Sequence, residues 1–268
     1  MGYGSAMSTD DFLARFGSPG AHQPDPVAAA QQAMRNPLPA RFYKEAGVLE
    51  RDGLFHVALD GRTARTPARR PLAVGSREVA MALAAEWERQ AERIDPAQMP
   101  LTRLVNSALD GVEDQQEAVR AEIVRYSASD ALCYRAGEPE ALVARQDAVW
   151  QPIVKGVEAL IGGRFVLAEG VVFAEQPAET LGAVTRQVEK IPAPLALAGA
   201  HNVMTLTGST IVLLALANRL IDADAAWEAA HLDEDYQISV WGQDEEAAER
   251  RVIRRREFDA AVLLLAEG

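Results

Sequence analysis

The stretch Arg41–Thr66 reads RFYKEAGVLERDGLFHVALDGRTART, and it sets the fold. Two short alternating runs, Phe42 to Leu49 and Leu54 to Leu59, flank Asp52-Gly53. Glycine tolerates positive φ, so Asp-Gly between such runs predicts a two-residue β-hairpin. Asp60-Gly61 repeats the signal and leads into Arg62 to Thr66. Pro71 to Val74, ended by Gly75, predicts a fourth strand.

Downstream the period changes from two to that of a helix. Ser76 caps a predicted helix with the apolar stripe Val79, Leu83 and Trp87. Pro100 opens another, in which Leu101, Leu104, Val105, Ala108 and Leu109 fall on one face before Gly111. Val119, Ile123 and Tyr126 mark a third. A long helical stretch covers Pro139 to Ile161, with Pro152 expected to kink or split it and Gly162-Gly163 to stop it. Phe165 to Ala174 reads as one or two short strands around Gly170. Leu181, Val184, Val188 and Ile191 share a further helix face, ended by Pro192 and Pro194. An apolar helix near 204–221 follows. Then comes a helical run from Asp222 to Trp241, broken by Gly242, and a last helix capped by Asp244 and reaching Leu265. Strands first and helices afterwards predict an α+β fold rather than alternating βαβ units.

Residues 1–36 are rich in Ala, Gln, Pro and Gly without a sustained period, and read as a flexible arm; Met1 to Ala6 reads as an added leader ahead of a native start at Met7. The β-rich N-terminal domain is expected over 37–112 and a mainly helical domain over 113–268. No basic segment followed by an apolar one opens the chain, so no secretory signal is expected. The window Val203 to Ile221 carries Thr205, Thr207, Ser209, Thr210, Asn218 and Arg219, which suits a buried helix and not a membrane span. Acidic residues outnumber basic ones by 39 to 27, a net charge of −12 that repels nucleic acid and anionic lipid. The single cysteine, Cys133, lies in the apolar run Ala131 to Tyr134 and reads as a buried, reduced thiol. A lone cysteine suits a reducing compartment such as the bacterial cytoplasm.

The chain lacks the usual signatures of chemistry. There is no phosphate loop; Leu206-Thr207-Gly208-Ser209-Thr210 lacks the lysine and the first glycine. No nucleophile elbow occurs. His22, His56, His201 and His231 make no metal-ligand spacing, and no metal or cofactor is expected. His56 reads as a sheet-surface residue and His231 as solvated or ion-paired. Asp222-Ala223-Asp224 is not a calcium loop, because Trp227 stands where glycine is needed. Carboxylates that meet only in space leave a cofactor-free hydrolase open.

From Asp222 to Glu249 there are ten acidic residues and no Lys or Arg; Arg250, Arg251, Arg254, Arg255 and Arg256 follow. This is either a solvated acidic helix before a basic one, or an acidic docking surface that steers a basic partner. Tyr236 and Trp241 lie within it. Aromatics amid charge suit interface anchors. On one continuous helix, Trp227, Glu234, Ile238 and Trp241 would share a face, and Trp241 would then be core.

The motifs, in order, resemble those of the assembly chaperone of the ATP synthase catalytic head that binds the alpha subunit, a family of mitochondria and alphaproteobacteria. Arg41-Phe42-Tyr43-Lys44 opens the match. Leu59-Asp60-Gly61-Arg62 with Arg65-Thr66-Pro67 follows, then Ala85-Glu86-Trp87, Ile94-Asp95-Pro96 and Met99-Pro100-Leu101-Thr102-Arg103-Leu104. Asn106, Asp110, Asp130 and Leu132 to Ala136 continue it, and Glu234, Tyr236-Gln237 and Trp241-Gly242 close it. The resemblance implies a small β-rich domain followed by an orthogonal helix bundle. It also implies a monomer without catalysis that holds unassembled alpha subunit until the beta subunit takes its place. It points for partner binding to Glu234, Tyr236, Gln237 and Trp241, with Asp244, Glu245 and Glu246 as a group. Asp60 and Asp110 each precede a glycine, and turn chemistry is expected of them. An adaptor for another client is the remaining alternative.

Overall fold

A computed structural model describes residues 38–170 and 172–267. The expected arm lies outside them. Two compact units divide between Arg103 and Leu104.

In the first unit, β1 (Ala46–Arg51) and β2 (Leu54–Leu59) form the expected hairpin, with Val48 opposite Val57. Asp52 and Gly53 both have positive φ, 54° and 77°, as a tight twisted turn requires. β3 (Arg62–Thr63) and β4 (Ala73–Val74) pair with the far side of β2, so β1 is an edge strand. Asp60 does more than turn the chain: its Oδ1 accepts the Lys44 and Glu45 N–H groups at 2.9 and 3.0 Å. His56, expected on the sheet surface, is buried, because the β3 and β4 pairings take place beside it.

Helix α1 (Arg77–Glu88), capped by Ser76, lays Val79 and Leu83 on the sheet. The motif Ala85-Glu86-Trp87 then explains itself. The buried Glu86 carboxylate accepts Leu101 and Thr102 N–H at 2.8 and 2.7 Å. Those donors are otherwise unsatisfied at the start of α2 (Pro100–Asp110). Burial pushes the Glu86 pKa up. Arg41 donates to the carbonyls of Tyr43, Lys44, Glu88 and Gln90, and Tyr43 Oη donates to Trp87 O. The opening motif is thus a clamp on the C-terminal end of α1.

The second unit contains α3 (Gln116–Ser127), α4 (Glu140–Ile161), α5 (Ala178–Val188), α6 (Leu195–Thr207) and α7 (Thr210–Ala217). They are followed by α8 (Ala223–Ala230), α9 (Leu232–Trp241) and α10 (Glu245–Leu265). A two-stranded parallel pair, β5 (Tyr134–Arg135) and β6 (Ala168–Glu169), is the strand content there among the described residues, and β6 is one short strand within the stretch Phe165 to Ala174. With the sheet of the first unit, this is the expected α+β architecture.

Pro152 does not split α4. Trp150, Ile153, Val154 and Val157 are buried around it, and this packing holds the helix through the missing N–H. The apolar run near 204–221 is two helices. Gly208 ends α6 in the left-handed conformation at φ 66°, and Ser209 Oγ caps α7 by accepting Val212 N–H.

Asp130, fully enclosed, ties this joint to the rest. Its Oδ1 accepts Leu132 N–H and Ser209 O–H, and its Oδ2 accepts Ile211 N–H at 2.9 Å. Burial lifts its pKa to about 6. Neighbouring Cys133 is buried as expected, its thiol pushed up to about 12 by burial first and then by the charge of Asp130.

Candidate protein-binding surface

The acidic segment Asp222 to Glu249 forms two helices and the start of a third, not one run. Asp222 caps α8 by accepting Ala225 N–H at 2.8 Å. His231 breaks the chain between α8 and α9. It is buried rather than solvated, with its ring 3.9 Å from that of Trp227 and its Nδ1 2.9 Å from Trp227 O. Burial lowers its pKa. A neutral ring packed on indole adds apolar contact; a charged one would need water.

This break separates the two tryptophans. Trp227 is buried against Phe258, while Trp241 is 86% exposed. The shared face expected for Trp227, Glu234, Ile238 and Trp241 does not exist, and Trp241 is not core. Val240 beside it is also exposed. Gly242, at φ 88° and ψ 169°, turns the chain sharply. Asp244 then caps α10 by accepting Ala247 N–H at 2.8 Å, so its carboxylate is occupied.

Helix α10 has two halves of different character. Phe258, Ala260, Ala261 and Leu264 are buried, and the crossing on α6 is close. A Cβ on Gly199 would lie 2.6 Å from Leu265 N and 2.7 Å from Ala261 O. The N-terminal half, Glu245 to Glu257, has no buried residue. Arginines hold its inner side. Arg251 pairs with Asp235, Arg255 pairs with Asp224 and Asp259, and Arg254 Nη2 donates to Leu206 O at 3.1 Å. The arginine run after the acidic block is thus partly an internal counter-charge to it. The outer side carries Glu245, Glu249, Val252, Ile253 and Arg256, all exposed.

The residues singled out by sequence therefore play different parts. Trp241, Gln237 and Glu245 are exposed. Glu246 is exposed and pairs with Arg250 at 3.1 Å. Glu234 and Tyr236 are half-buried, with the Arg145 guanidinium 5.3 Å from the Tyr236 ring centre. Val240, Val252 and Ile253 join them as exposed apolar groups that sequence reading missed. The available signal was that Val252-Ile253 interrupts a charged run in which no apolar stripe of helical period can form. Taken together, α9, its turn and the first half of α10 present an aromatic, three aliphatic residues and carboxylates to solvent. That is the chemistry of a protein interface.

Comparison with known proteins agrees with the motifs. The model of the family described as ATP12 chaperone protein matches residues 40–158. The crystal structure of the Atu1473 protein from Agrobacterium tumefaciens is 44% identical and superposes with a TM-score of 0.81, covering 96% of each chain. That of Atp12 from Paracoccus denitrificans is 33% identical, TM-score 0.76, and covers 85% of this chain and 98% of its own. Protein atp12, mitochondrial, of Schizosaccharomyces pombe is 23% identical over 230 residues, which is 80% of this chain and 79% of that protein. Held to two bacterial relatives along almost their entire lengths, and sharing the family's motifs and fold, the chain belongs to the ATP12 chaperone family.

Proposed function

We propose that the protein is an assembly chaperone for ATP synthase. It captures the unassembled alpha subunit on the surface of α9, its turn and the first half of α10, and releases it to beta. The observation that carries this reading is Trp241: a tryptophan left 86% in water at the end of α9, beside Val240 and a row of carboxylates. Isolated apolar residues on a surface are ordinary, but a large aromatic with aliphatic neighbours and a charged rim marks a binding site.

Binding rather than bond-making is the proposed activity. The carboxylates with shifted pKa are engaged in holding the fold: Asp130 at the α6–α7 joint, Glu86 on the start of α2, Asp60 on the N–H groups of Glu45 and Lys44, and Glu122 beside His201 at 3.0 Å. No two of the four share a hydrogen-bond partner, which weighs against the hydrolase reading. Among the described residues no helix is long and apolar enough to cross a membrane.

Co-expression with the alpha subunit tests the proposal, with soluble alpha as the readout. The parent chain should keep alpha soluble. Trp241→Ala, and separately Glu245→Arg with Glu246→Arg, should reduce soluble alpha severalfold. Trp241 is exposed, so its variant's stability should stay within about 0.5 kcal/mol of the parent. The double reversal sets cations against the N-terminus of α10 and breaks the Glu246–Arg250 pair, so it should cost up to about 2 kcal/mol and still fold. Folded variants that hold as much alpha as the parent would remove this surface from the mechanism.

A further inference from the structure

We propose that the groove between β1 and α1 is a second capture site, where an extended segment of the client adds itself as a strand to the open edge of the sheet. This rests on the chaperone reading above. β2 pairs with one side of β1 along its full length, and among the described residues no strand pairs with the other.

The direction of the backbone groups follows from the hairpin. Glu45 O accepts from Asp60 N at 3.0 Å, and in an antiparallel ladder alternate residues turn their N–H and C=O toward the partner. Glu45, Gly47, Leu49 and Arg51 therefore address β2, and Ala46, Val48 and Glu50 address the edge. Ala46 shows the outward direction: its N–H donates to Glu88 Oε2 at 2.7 Å. That carboxylate closes one end of the edge. The N–H groups of Val48 and Glu50 lie beyond it, facing the groove.

The groove is a cavity of about 510 Å³, walled by Ala46, Val48 and Glu50 on one side and by Arg77, Met81 and Ala85 on the other. Met81 is a large apolar side chain 57% exposed on α1. Glu88 is already paired with Arg41 at 3.3 Å, which leaves Glu50 and Arg77 as the other charged groups lining the groove. The complementary occupant is a short extended segment with aliphatic side chains at alternate positions, directed at Met81 and Ala85, and a Lys or Arg beside Glu50. Strand addition takes most of its affinity from backbone hydrogen bonds and its selectivity from alternate side chains. It suits a chaperone whose client exposes a strand before its own neighbour arrives.

Two variants of the full chain test the site by co-expression with the alpha subunit. Glu50→Pro removes an outward donor, and an edge strand accepts proline on that side. Ala85→Glu places a charge on the outer wall from an exposed helix position. With Trp241 intact, each should lower soluble alpha at least fivefold while melting within a few degrees of the parent. In the complex of the parent, amide exchange at Val48 and Glu50 should slow at least tenfold.

Folded variants that keep alpha fully soluble, or amides that exchange at the free rate in the complex, overturn the groove and leave the chaperone reading standing. A parent chain that cannot hold alpha overturns both. Protection that grows with protein concentration in the absence of alpha would mean that a second copy takes the edge, and would also overturn the assignment.

Discussion

Asp130 sits where no water reaches it, with hydrogen-bond donors on both carboxylate oxygens. Its folded pKa of about 6 lies above the ordinary 3.8, so the native state binds this proton more tightly than the unfolded chain does. Its contribution to stability should therefore be greatest below pH 4, fall as pH rises to about 6, and level off above that. The fall is about 3 kcal/mol for a shift of this size. Glu122 acts in the opposite sense. Its hydrogen bond with His201 holds it below the usual range, and its contribution is lost on acidification. Asp130→Asn should cancel the first effect and destabilise the fold by about 2 kcal/mol at pH 7. Each oxygen accepts a backbone N–H, so either orientation of the amide sets a donor against a donor. Urea titrations of both proteins from pH 4 to 8 check this; parallel curves would refute it. At this scale the sequence was legible in type but not in role. Asp130 and Glu86 were recognisable as motif residues, yet their partners lie 81 and 16 positions away, at Ile211 and Thr102. No local pattern reports such a distance.

Elements were legible wherever glycine or a capping side chain sits between segments of clear period. Asp52-Gly53, Asp60-Gly61, Ser76 and Asp244 each mark a boundary that the structure keeps. They were illegible where a helix is apolar all round or a break is made by packing. In α6 and α7 the segments on either side of Gly208-Ser209 are apolar on nearly every face, so no change of period marks the break that this glycine and capping serine make. The break at His231 comes from its stacking on Trp227, which only the folded chain contains. That missed break is what kept a core reading of Trp241 open beside the interface reading. The α6–α10 crossing gives a prediction of its own kind. Gly199→Ala would push a methyl into the backbone of Leu265 and Ala261, where no side chain can swing aside. A loss of about 3 kcal/mol is expected, at the upper end for overpacking. Thermal melts should show it, and Gly182→Ala on α5, where the new methyl meets only a flexible arginine at 3.8 Å, should not.

On the scale of the molecule, the proposed capture should draw on the net charge of −12 for its rate more than for its final strength. Three of the ten acids, Asp224, Asp235 and Glu246, are paired with Arg255, Arg251 and Arg250, and the exposed remainder, with Glu245 and Glu249, acts through solvent. Exposed charges are screened within about 10 Å at 0.1 M salt. The association rate with alpha subunit should therefore fall about tenfold between 20 mM and 300 mM salt, while the dissociation rate, set by Trp241 and its aliphatic neighbours, changes little. Stopped-flow measurement of both rates checks this; a salt effect confined to dissociation would contradict it. The β-then-helical organisation was readable throughout, since it rests on the change of period after Gly75. The proposed binding surface was readable in its charge and, at Val252-Ile253, as a break in a charged run, but not in its shape, since exposure depends on the turn at His231.

The burial of Cys133 has a practical consequence. The chain's single thiol is sealed in the interior and held almost entirely protonated. A cysteine introduced on the surface, such as Gln237→Cys, would be the one group that a maleimide dye modifies in the native protein. A reporter could therefore be placed beside Trp241 without first removing the native cysteine, and the arrival and departure of a partner followed by fluorescence in real time.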